Sequence, residues 1–177
     1  MAQVDVMIEA EAWDGCLSDA ETHARDAVMA ALACAGIGDG LVEIAVVLTD
    51  DAAIAALNQQ YRGKMGPTNV LSFQACTAQD LIRLNHGAGA PVLLGDIVLA
   101  YQTIVGEARA QAKTIADHCC HLIVHGTLHL LGHDHGHAAE AEVMEALERA
   151  ALARIGIADP YESPYDQPHS NRRAIET

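Results

Sequence analysis

The sequence predicts an α+β fold, in which a small mixed sheet of four strands packs with about five helices. Four short segments have the apolar pattern of strands, and capped helical patterns separate most of them. The chain has 177 residues, of which 51% are hydrophobic, so it is long enough for one well-buried core and short for two. We therefore predict a single domain over 1–161 and a flexible tail over 162–177.

The first strand and the first helix are predicted near the N-terminus. Apolar side chains alternate with polar or flexible ones at 4–8, which is typical of a strand. Ser18 and Glu21 have the spacing of a capping box and precede an alanine-rich stretch. We therefore expect a helix that begins there and ends near Gly36.

A second strand and a second helix follow. The segment 42–48 is rich in Val, Ile and Leu, as a buried strand is. Either Thr49 or Asp50 can cap a helix near 51–61, because their side-chain oxygens can accept hydrogen bonds from the first free backbone N–H groups.

Two more strands are predicted in the middle of the chain. Gly66 and Pro67 mark a turn before a third strand at 69–73. The segment 75–92 contains several glycines and a proline, so we expect a long loop or an excursion at the sheet edge. A fourth strand is predicted at 95–100.

The C-terminal third predicts helices. One is expected at about 103–112. Thr114 and Asp117 then resemble another capped start, and the helix that they open should run through Leu131. A last helix is expected at about 138–155.

The most informative motif has three histidines with the spacing H-x3-H-x5-H. A helix presents residues i and i+4 on one face, so His125 and His129 can point at a common centre. Gly132 can adopt a left-handed conformation, which would end the helix and bring His135 to the same centre. Three neutral imidazoles leave one tetrahedral position open, as in catalytic zinc sites. We therefore predict one Zn²⁺ per chain, on the central helix and the loop that follows it.

The position after the first histidine differs from that of the zinc proteases. Their extended motif H-E-x-x-H-x-x-G-x-x-H has a glutamate there, which acts as the general base. The residue at this position is Gly126, and a glycine cannot accept a proton. The ligands of a metallohydrolase are thus predicted without the base of a peptidase, which favours a reaction other than peptide hydrolysis.

Other polar residues near the motif are candidates for the cleft or for contacts to the ligands. His118 and His121 share one helical stripe with His125 and His129. They can line the cleft, orient the ligands or occupy the helix face. Asp134 can hydrogen-bond the far nitrogen of a ligand histidine, or it can cap the loop.

The charge of the chain is −14, which disfavours nucleic-acid binding unless positive charge is concentrated locally. Residues 1–51 contain eleven acids and a single basic residue, whereas 52–79 contain no acid and carry Arg62 and Lys64. We expect positive potential in the cleft near these two residues. Arg62 has two interpretations, a charge stabilised by the C-terminus of a helix or a guanidinium that binds phosphoryl oxygens.

Composition bears on the compartment and on the partners. No apolar segment approaches the roughly 18–20 residues of a membrane span, and the N-terminus has no signal-peptide pattern. Five cysteines form an odd set without C-x-x-C spacing, which favours reduced thiols. We therefore expect a cytoplasmic protein without a membrane partner. Scarce aromatic residues argue against a base-stacking platform for nucleic acid.

Several blocks of the sequence resemble the bacterial YbeY endoribonuclease family. They occur in order and cover most of residues 40–161. The blocks are LN and YR within 57–62, PTNVLSF at 67–73, LGDIV at 94–98, H-G-x-L-H-L-x-G-x-D-H at 125–135 and DPY at 159–161.

This resemblance implies a zinc-dependent, single-strand-specific endoribonuclease of the bacterial cytoplasm. Its implied roles are ribosomal RNA processing, including maturation of the 3′ end of the small-subunit RNA, and ribosome quality control. It implies zinc ligands at His125, His129 and His135 and a functional arginine at Arg62. The implied partners are single-stranded RNA and the ribosomal small subunit, and no DNA is expected. Family members more often have an aromatic residue at the position of His133.

The residues themselves leave two alternatives open. One is a zinc hydrolase of another bond, such as a peptidase that uses a base from elsewhere in the chain. The other is a non-catalytic ribosome assembly factor in which zinc is structural. For RNA cleavage, the sequence does not decide whether water or an RNA 2′-hydroxyl is the nucleophile, and it does not identify the general base.

Overall fold

A computed structural model describes residues 2–38, 42–87 and 89–162. This part of the chain contains four strands, six α-helices and a short 3₁₀ turn at Glu11–Trp13. The strands are β1 (Gln3–Ile8), β2 (Val42–Thr49), β3 (Val70–Gln74) and β4 (Val92–Ala100). The helices are α1 (Ala20–Cys34), α2 (Asp51–Arg62), α3 (Ala78–Asn85), α4 (Tyr101–Ala110), α5 (Ile115–Leu130) and α6 (Ala138–Arg154). Apart from its first residue, the predicted tail lies outside the described residues.

The four strands form one mixed sheet in the order β1-β2-β4-β3. β1, β2 and β4 are parallel, whereas β3 pairs with β4 in the antiparallel direction and forms an edge. In the register, Val46 of β2 lies between Val6 of β1 and Ile97 of β4. The predicted α+β class is confirmed, with a sheet that is mainly parallel.

One face of the sheet contains the main hydrophobic core. Val46, Ile97 and Leu99 of the sheet are buried in the same cluster as Ile123 and Leu128 of α5. Helices α1 and α6 pack against α5 in turn, so α5 is enclosed by the sheet on one side and by helices on the other. Each such side chain contributes about 1.5–3 kcal/mol when it is removed from water, so α5 is held firmly in place.

The other face carries a smaller apolar cluster beneath α2. Its members are Val47, Ile54, Leu71, Val98 and Ala100. The last turn of α2 lies beside the edge strand β3. There the ring of Tyr61 in α2 meets the ring of Phe73 in β3 edge to face, at a centroid separation of 5.2 Å. The C-terminus of α2 on one face and helix α5 on the other therefore both border β3.

Residues 75–92 contain a helix, so the expectation of a long loop or edge excursion was wrong. Helix α3 begins at a capping box, in which Thr77 Oγ1 accepts from Asp80 N at 3.2 Å and Asp80 Oδ2 accepts from Thr77 N at 2.9 Å. The hydrogen bonds from Thr77 lower the pKa of Asp80 to about 2. The glycines and proline that suggested a loop lie after the helix, near 87–91.

The start of α1 also differs from the prediction. Ser18 and Glu21 do not form a capping box, because the residue before the helix is Asp19, in a left-handed conformation with φ 60°. Its carboxylate accepts from the Thr22 hydroxyl at 2.7 Å and not from a backbone N–H. A short polar side chain tolerates this conformation better than most residues do.

Two other predicted caps are confirmed. Asp50, and not Thr49, caps α2, since Asp50 Oδ1 accepts from Ala53 N at 2.8 Å. Thr114 caps α5 by accepting from Asp117 N at 3.0 Å. The first residues of β4 precede the predicted start at 95, because Val92 pairs with β2 as well. None of the helices in the described ranges is both long and apolar enough to cross a membrane.

Helix α5 lies very close to the sheet at Gly126. A Cβ atom built on this residue would lie 2.9 Å from Ile97 Cγ2 and 3.0 Å from Ser72 Oγ. Both distances are shorter than ordinary contacts, so any side chain here would push the helix away from β3 and β4. Glycine at 126 is therefore a requirement of packing.

A pair of glycine substitutions tests this close approach. Gly126→Ala should lower the free energy of unfolding by about 1–3 kcal/mol, because the new methyl group overpacks the interface with the sheet. Gly106→Ala is the matched control within helix α4, where a Cβ would meet nothing within 4 Å. It should raise the stability by about 0.5–1 kcal/mol through helix propensity and reduced unfolded-state entropy.

The measurement is urea unfolding of both variants in the presence of a chelator, so that metal binding does not contribute to stability. A Gly126→Ala protein as stable as the Gly106→Ala protein would contradict the packing argument.

Candidate metal centre

Helix α5 ends in a turn that brings the third histidine back to the first two. Gly132 has φ 91°, the left-handed conformation that the sequence predicted. Its N–H donates to His129 O at 2.9 Å, and the N–H of His133 donates to Leu128 O at 3.0 Å. These two bonds form a Schellman motif, which reverses the chain and places His135 beside His125 and His129.

The three predicted histidines lie together. One nitrogen from each of His125, His129 and His135 lies within 4.8 Å of the others. His125 and His129 are half-buried and His135 is exposed, so the cluster opens to solvent on one side. The Nε2 atoms of His125 and His129 are 3.0 Å apart.

The far nitrogens of two histidines have hydrogen-bond acceptors. His125 Nδ1 lies 2.5 Å from Glu148 Oε1, and His129 Nδ1 lies 2.9 Å from the carbonyl oxygen of His133. A carboxylate and a carbonyl can only accept, so both Nδ1 atoms carry the proton and both Nε2 atoms carry a lone pair. Two lone pairs that face each other at 3.0 Å repel unless a cation lies between them.

The cluster therefore fits a bound metal ion. Three imidazole nitrogens suit zinc, which also uses such sets with one position open. Burial, and then the neighbouring His125 and His135, lower the pKa of His129. A lowered pKa keeps that imidazole neutral, which is the form that binds a metal.

Glu148 on α6 is the residue that orients the centre, and sequence reasoning did not identify it. The side chain is only 1% exposed. Besides His125, it accepts from His121 Nε2 at 3.2 Å and from the Tyr161 hydroxyl. Burial opposes ionisation of Glu148, yet these hydrogen bonds hold its pKa well below the usual range. The carboxylate is therefore charged, and it orients His125 as outer carboxylates do in zinc sites.

A signal for Glu148 was available in the pattern of α6. The buried residues of this helix are Met144, Glu148, Ala151 and Leu152, which have helical spacing. An acid within an apolar stripe must find polar partners, and the histidines of α5 are such partners.

The other candidates lie around the centre in different ways. His118 is buried, with Nε2 2.7 Å from Glu107 Oε2, and burial lowers its pKa in spite of that carboxylate. His121 contacts Glu148 and not the cluster of three. Asp134 Oδ1 accepts from the backbone N–H of His135 at 2.7 Å, which is the loop-capping alternative.

A cleft of about 540 Å³ opens in front of the three histidines, along the edge strand β3. It is lined by Arg62, Thr68, Asn69, Val70, Ser72, Gln74, His125, His129, Leu130, Gly132, His133, Asp134 and His135. Among these described residues, Arg62 is the one permanent cation and Asp134 the one carboxylate. Lys64 lies outside this lining.

The polar wall of the cleft is held by hydrogen bonds to residues behind it. Asn69 Nδ2 donates to Glu107 Oε2 at 3.1 Å, and Glu107 also contacts the buried His118. Gln74 Nε2 donates to the Leu130 carbonyl at 2.9 Å, which ties β3 to the end of α5. Arg62 enters the cleft from the last turn of α2.

Comparisons with known proteins point to one family, in agreement with the geometry of the site. The family model for Endoribonuclease YbeY matches residues 7–156. The chain belongs to this family. A YbeY relative from Paramagnetospirillum magneticum is 47% identical over 159 residues, which cover 90% of this chain and 95% of the relative. A second, from Parvibaculum lavamentivorans, is 50% identical over 90% of this chain and 84% of the relative.

A solved structure has the same fold. The solution structure of the Thermotoga maritima protein TM1509 superposes with a TM-score of 0.52 at 22% identity, covering 91% of this chain and all of the other. The resemblance to YbeY predicted from the motifs is confirmed. The predicted class of enzyme, a hydrolase that acts on phosphodiester bonds, is confirmed by the same relatives.

Replacement of Glu148 tests its role at the metal centre. Glu148→Gln keeps the shape of the side chain but removes the charge, so zinc affinity should fall by about 10–100-fold, as it does when outer carboxylates of zinc sites are lost. The measurement is a competition titration with a chromophoric chelator. Glu142→Gln, at an exposed position on the same helix, is the control and should bind zinc like the unaltered protein. Equal affinities of the two variants would contradict the role of Glu148.

Proposed function

We propose that this YbeY-family chain is a zinc-dependent endoribonuclease that cuts single-stranded RNA. Its proposed role is in ribosomal RNA processing, including maturation of the 3′ end of the small-subunit RNA, and in ribosome quality control in the cytoplasm. The observation that carries this proposal is that one cleft is lined both by the three histidines and by Arg62.

The histidines would hold the metal ion in this proposal. His125, His129 and His135 supply three neutral nitrogen ligands, and Glu148 and the His133 carbonyl keep two of the rings oriented. When bound, zinc acts as a Lewis acid on phosphoryl oxygens and lowers the pKa of water.

Arg62 would bind the phosphodiester. A guanidinium can donate two parallel hydrogen bonds to phosphoryl oxygens, and its charge stabilises the charge that develops on them during cleavage. Arg62 stands in the last turn of α2, where the helix dipole favours a cation. The two interpretations of Arg62 are therefore compatible, because the helix end would stabilise the charge that binds the substrate.

The peptidase alternative needs a base from elsewhere in the chain, because Gly126 occupies the position of the usual glutamate and a Cβ atom there would clash with Ile97 and Ser72. The residues of the cleft offer little for that role. Asp134 is the one carboxylate among the described residues that line the cleft, and one of its oxygens is already engaged by the loop.

The charge of the chain and of its cleft supports the proposal that a partner delivers the RNA substrate. The chain carries a net charge of −14, and Arg62 is the one permanent cation among the described lining residues. Few phosphates can be neutralised there, so unaided RNA affinity should be low and strongly dependent on salt. The proposed partner is the ribosomal small subunit. A flexible single strand can bend a phosphate into a cleft, whereas a rigid duplex cannot.

Cleavage of a labelled single-stranded RNA tests the two halves of the site. His125→Ala should abolish both zinc binding and cleavage. Arg62→Ala should retain zinc but lose about 10²–10³-fold in rate, as for the loss of one group that stabilises developing charge. Arg109→Ala, at an exposed arginine of α4 outside the cleft, is the matched control and should cleave normally.

Circular dichroism should show that all three variants remain folded. Undiminished cleavage by His125→Ala or Arg62→Ala would remove that residue from the proposed site. A duplex of the same sequence should resist cleavage, and equal cleavage of strand and duplex would contradict single-strand specificity.

Metal removal separates a catalytic zinc from a structural one. The chelated protein should stay folded and lose cleavage, and zinc should restore it, because α5 is held by the apolar core rather than by the histidines. The measurement is thermal unfolding and RNA cleavage before and after chelation. Unfolding on chelation, together with no RNA cleavage by the metal-loaded protein, would favour the non-catalytic assembly factor.

A further inference from the structure

The DPY block at 159–161 neither contributes to the cluster of three histidines nor lines the cleft. Its tyrosine nevertheless reaches the metal centre from outside. The Tyr161 hydroxyl donates to Glu148 Oε2, while Glu148 Oε1 accepts from His125 Nδ1 at 2.5 Å. A continuous chain of hydrogen bonds thus connects Tyr161 to one of the three clustered histidines.

The DPY block is itself firmly held. Asp159 Oδ2 lies 3.0 Å from Arg149 Nε, and the Arg149 guanidinium lies 5.0 Å from the centroid of the Tyr161 ring. Lys113 Nζ donates to the Pro160 carbonyl at 3.1 Å. These contacts tie the block to α6 and to the loop before α5, so they help to hold the tyrosine ring beside Glu148.

We propose that Tyr161 is a positioning residue of the metal centre, whose hydroxyl orients the Glu148 carboxylate and, through it, the ring of His125. The proposal rests on the metal site of the proposed function.

The environment of Glu148 explains why this hydroxyl matters. The carboxylate is 1% exposed, so it must obtain its hydrogen bonds from protein groups. Without the Tyr161 hydroxyl, Oε2 retains the hydrogen bond from His121 Nε2, at the longer distance of 3.2 Å. The carboxylate would then be free to turn toward His121, and its hydrogen bond to His125 would lose its alignment. Metal ligands held in this way bind less tightly when their outer partners are removed.

Tyr161→Phe tests the proposal, because it removes only the hydroxyl and leaves the ring beside His121 and Arg149. Zinc affinity, measured by competition with a chromophoric chelator, should fall by about tenfold, at the lower end of the range for outer partners. Tyr101→Phe is the matched control. Its hydroxyl contacts Cys16 Sγ at 2.9 Å, and Tyr101 lies outside the metal cleft, so its affinity for zinc should be unchanged.

A double-mutant cycle shows whether Tyr161 acts through Glu148. If it does, the double variant with Glu148→Gln and Tyr161→Phe should bind zinc no more weakly than Glu148→Gln alone. Additive losses would overturn this route, as would an unchanged affinity of Tyr161→Phe. Failure of the unaltered protein to bind zinc would overturn both the inference and the metal site. The expected affinity pattern without RNA cleavage would support the inference and contradict only the proposed function.

Discussion

The contact between helix α5 and the sheet is the constraint on which the metal centre depends. At Gly126 the helix backbone lies so close to Ile97 and Ser72 that no side chain fits between them. This contact sets how closely the helix can approach β3 and β4. On the same helix, His125 and His129 line the cleft beside β3. The glycine that occupies the position of a peptidase's base is thus the same residue that allows α5 to pack against the sheet.

Electrostatics around the centre follow from a second buried group, Glu148. Its carboxylate is stabilised by three donors, which are His121 and His125 of α5 and the Tyr161 hydroxyl of the DPY block. The negative charge of Glu148 lies behind the clustered histidines. Its hydrogen bond with His125 makes that imidazole more basic. In the cleft itself, Arg62 and Asp134 are the charged residues of the described lining, apart from any protonated histidine. With Arg62 as the one permanent cation among these described residues, the cleft can neutralise few phosphates.

Local sequence patterns predicted much of this molecule. The histidine spacing, the left-handed Gly132 and the caps at Asp50 and Thr114 all depend on residues within one or two helical turns, so they can be recognised without the fold. Predictions of secondary structure failed where one local sequence pattern is compatible with two structures. Helix α3 was missed because the glycines and the proline after it suggested a loop. Thr77 and Asp80 were not recognised as a cap, since a capping box more often has Glu or Gln at the position of Asp80.

Contacts between residues that are distant in the sequence could not be predicted, for a different reason. Glu148 is 23 residues from His125, and nothing between them encodes their meeting. The convergence of Arg62 with the histidines depends on β3 lying at the sheet edge, so that helices from opposite faces border one cleft. The resemblance to a family suggested Arg62, whereas the residues alone left it with two interpretations.

The Schellman turn after α5 has a consequence for the order in which the centre is built. Two of the three histidines, and the carbonyl that orients His129, come from residues 129–135, so this half forms as soon as the helix end forms. Glu148 and Tyr161 lie later in the chain, so a ribosome synthesises them after the three histidines. A nascent chain therefore contains the three histidines before it contains the groups that align His125, which gains its carboxylate partner only after residue 148 has been synthesised.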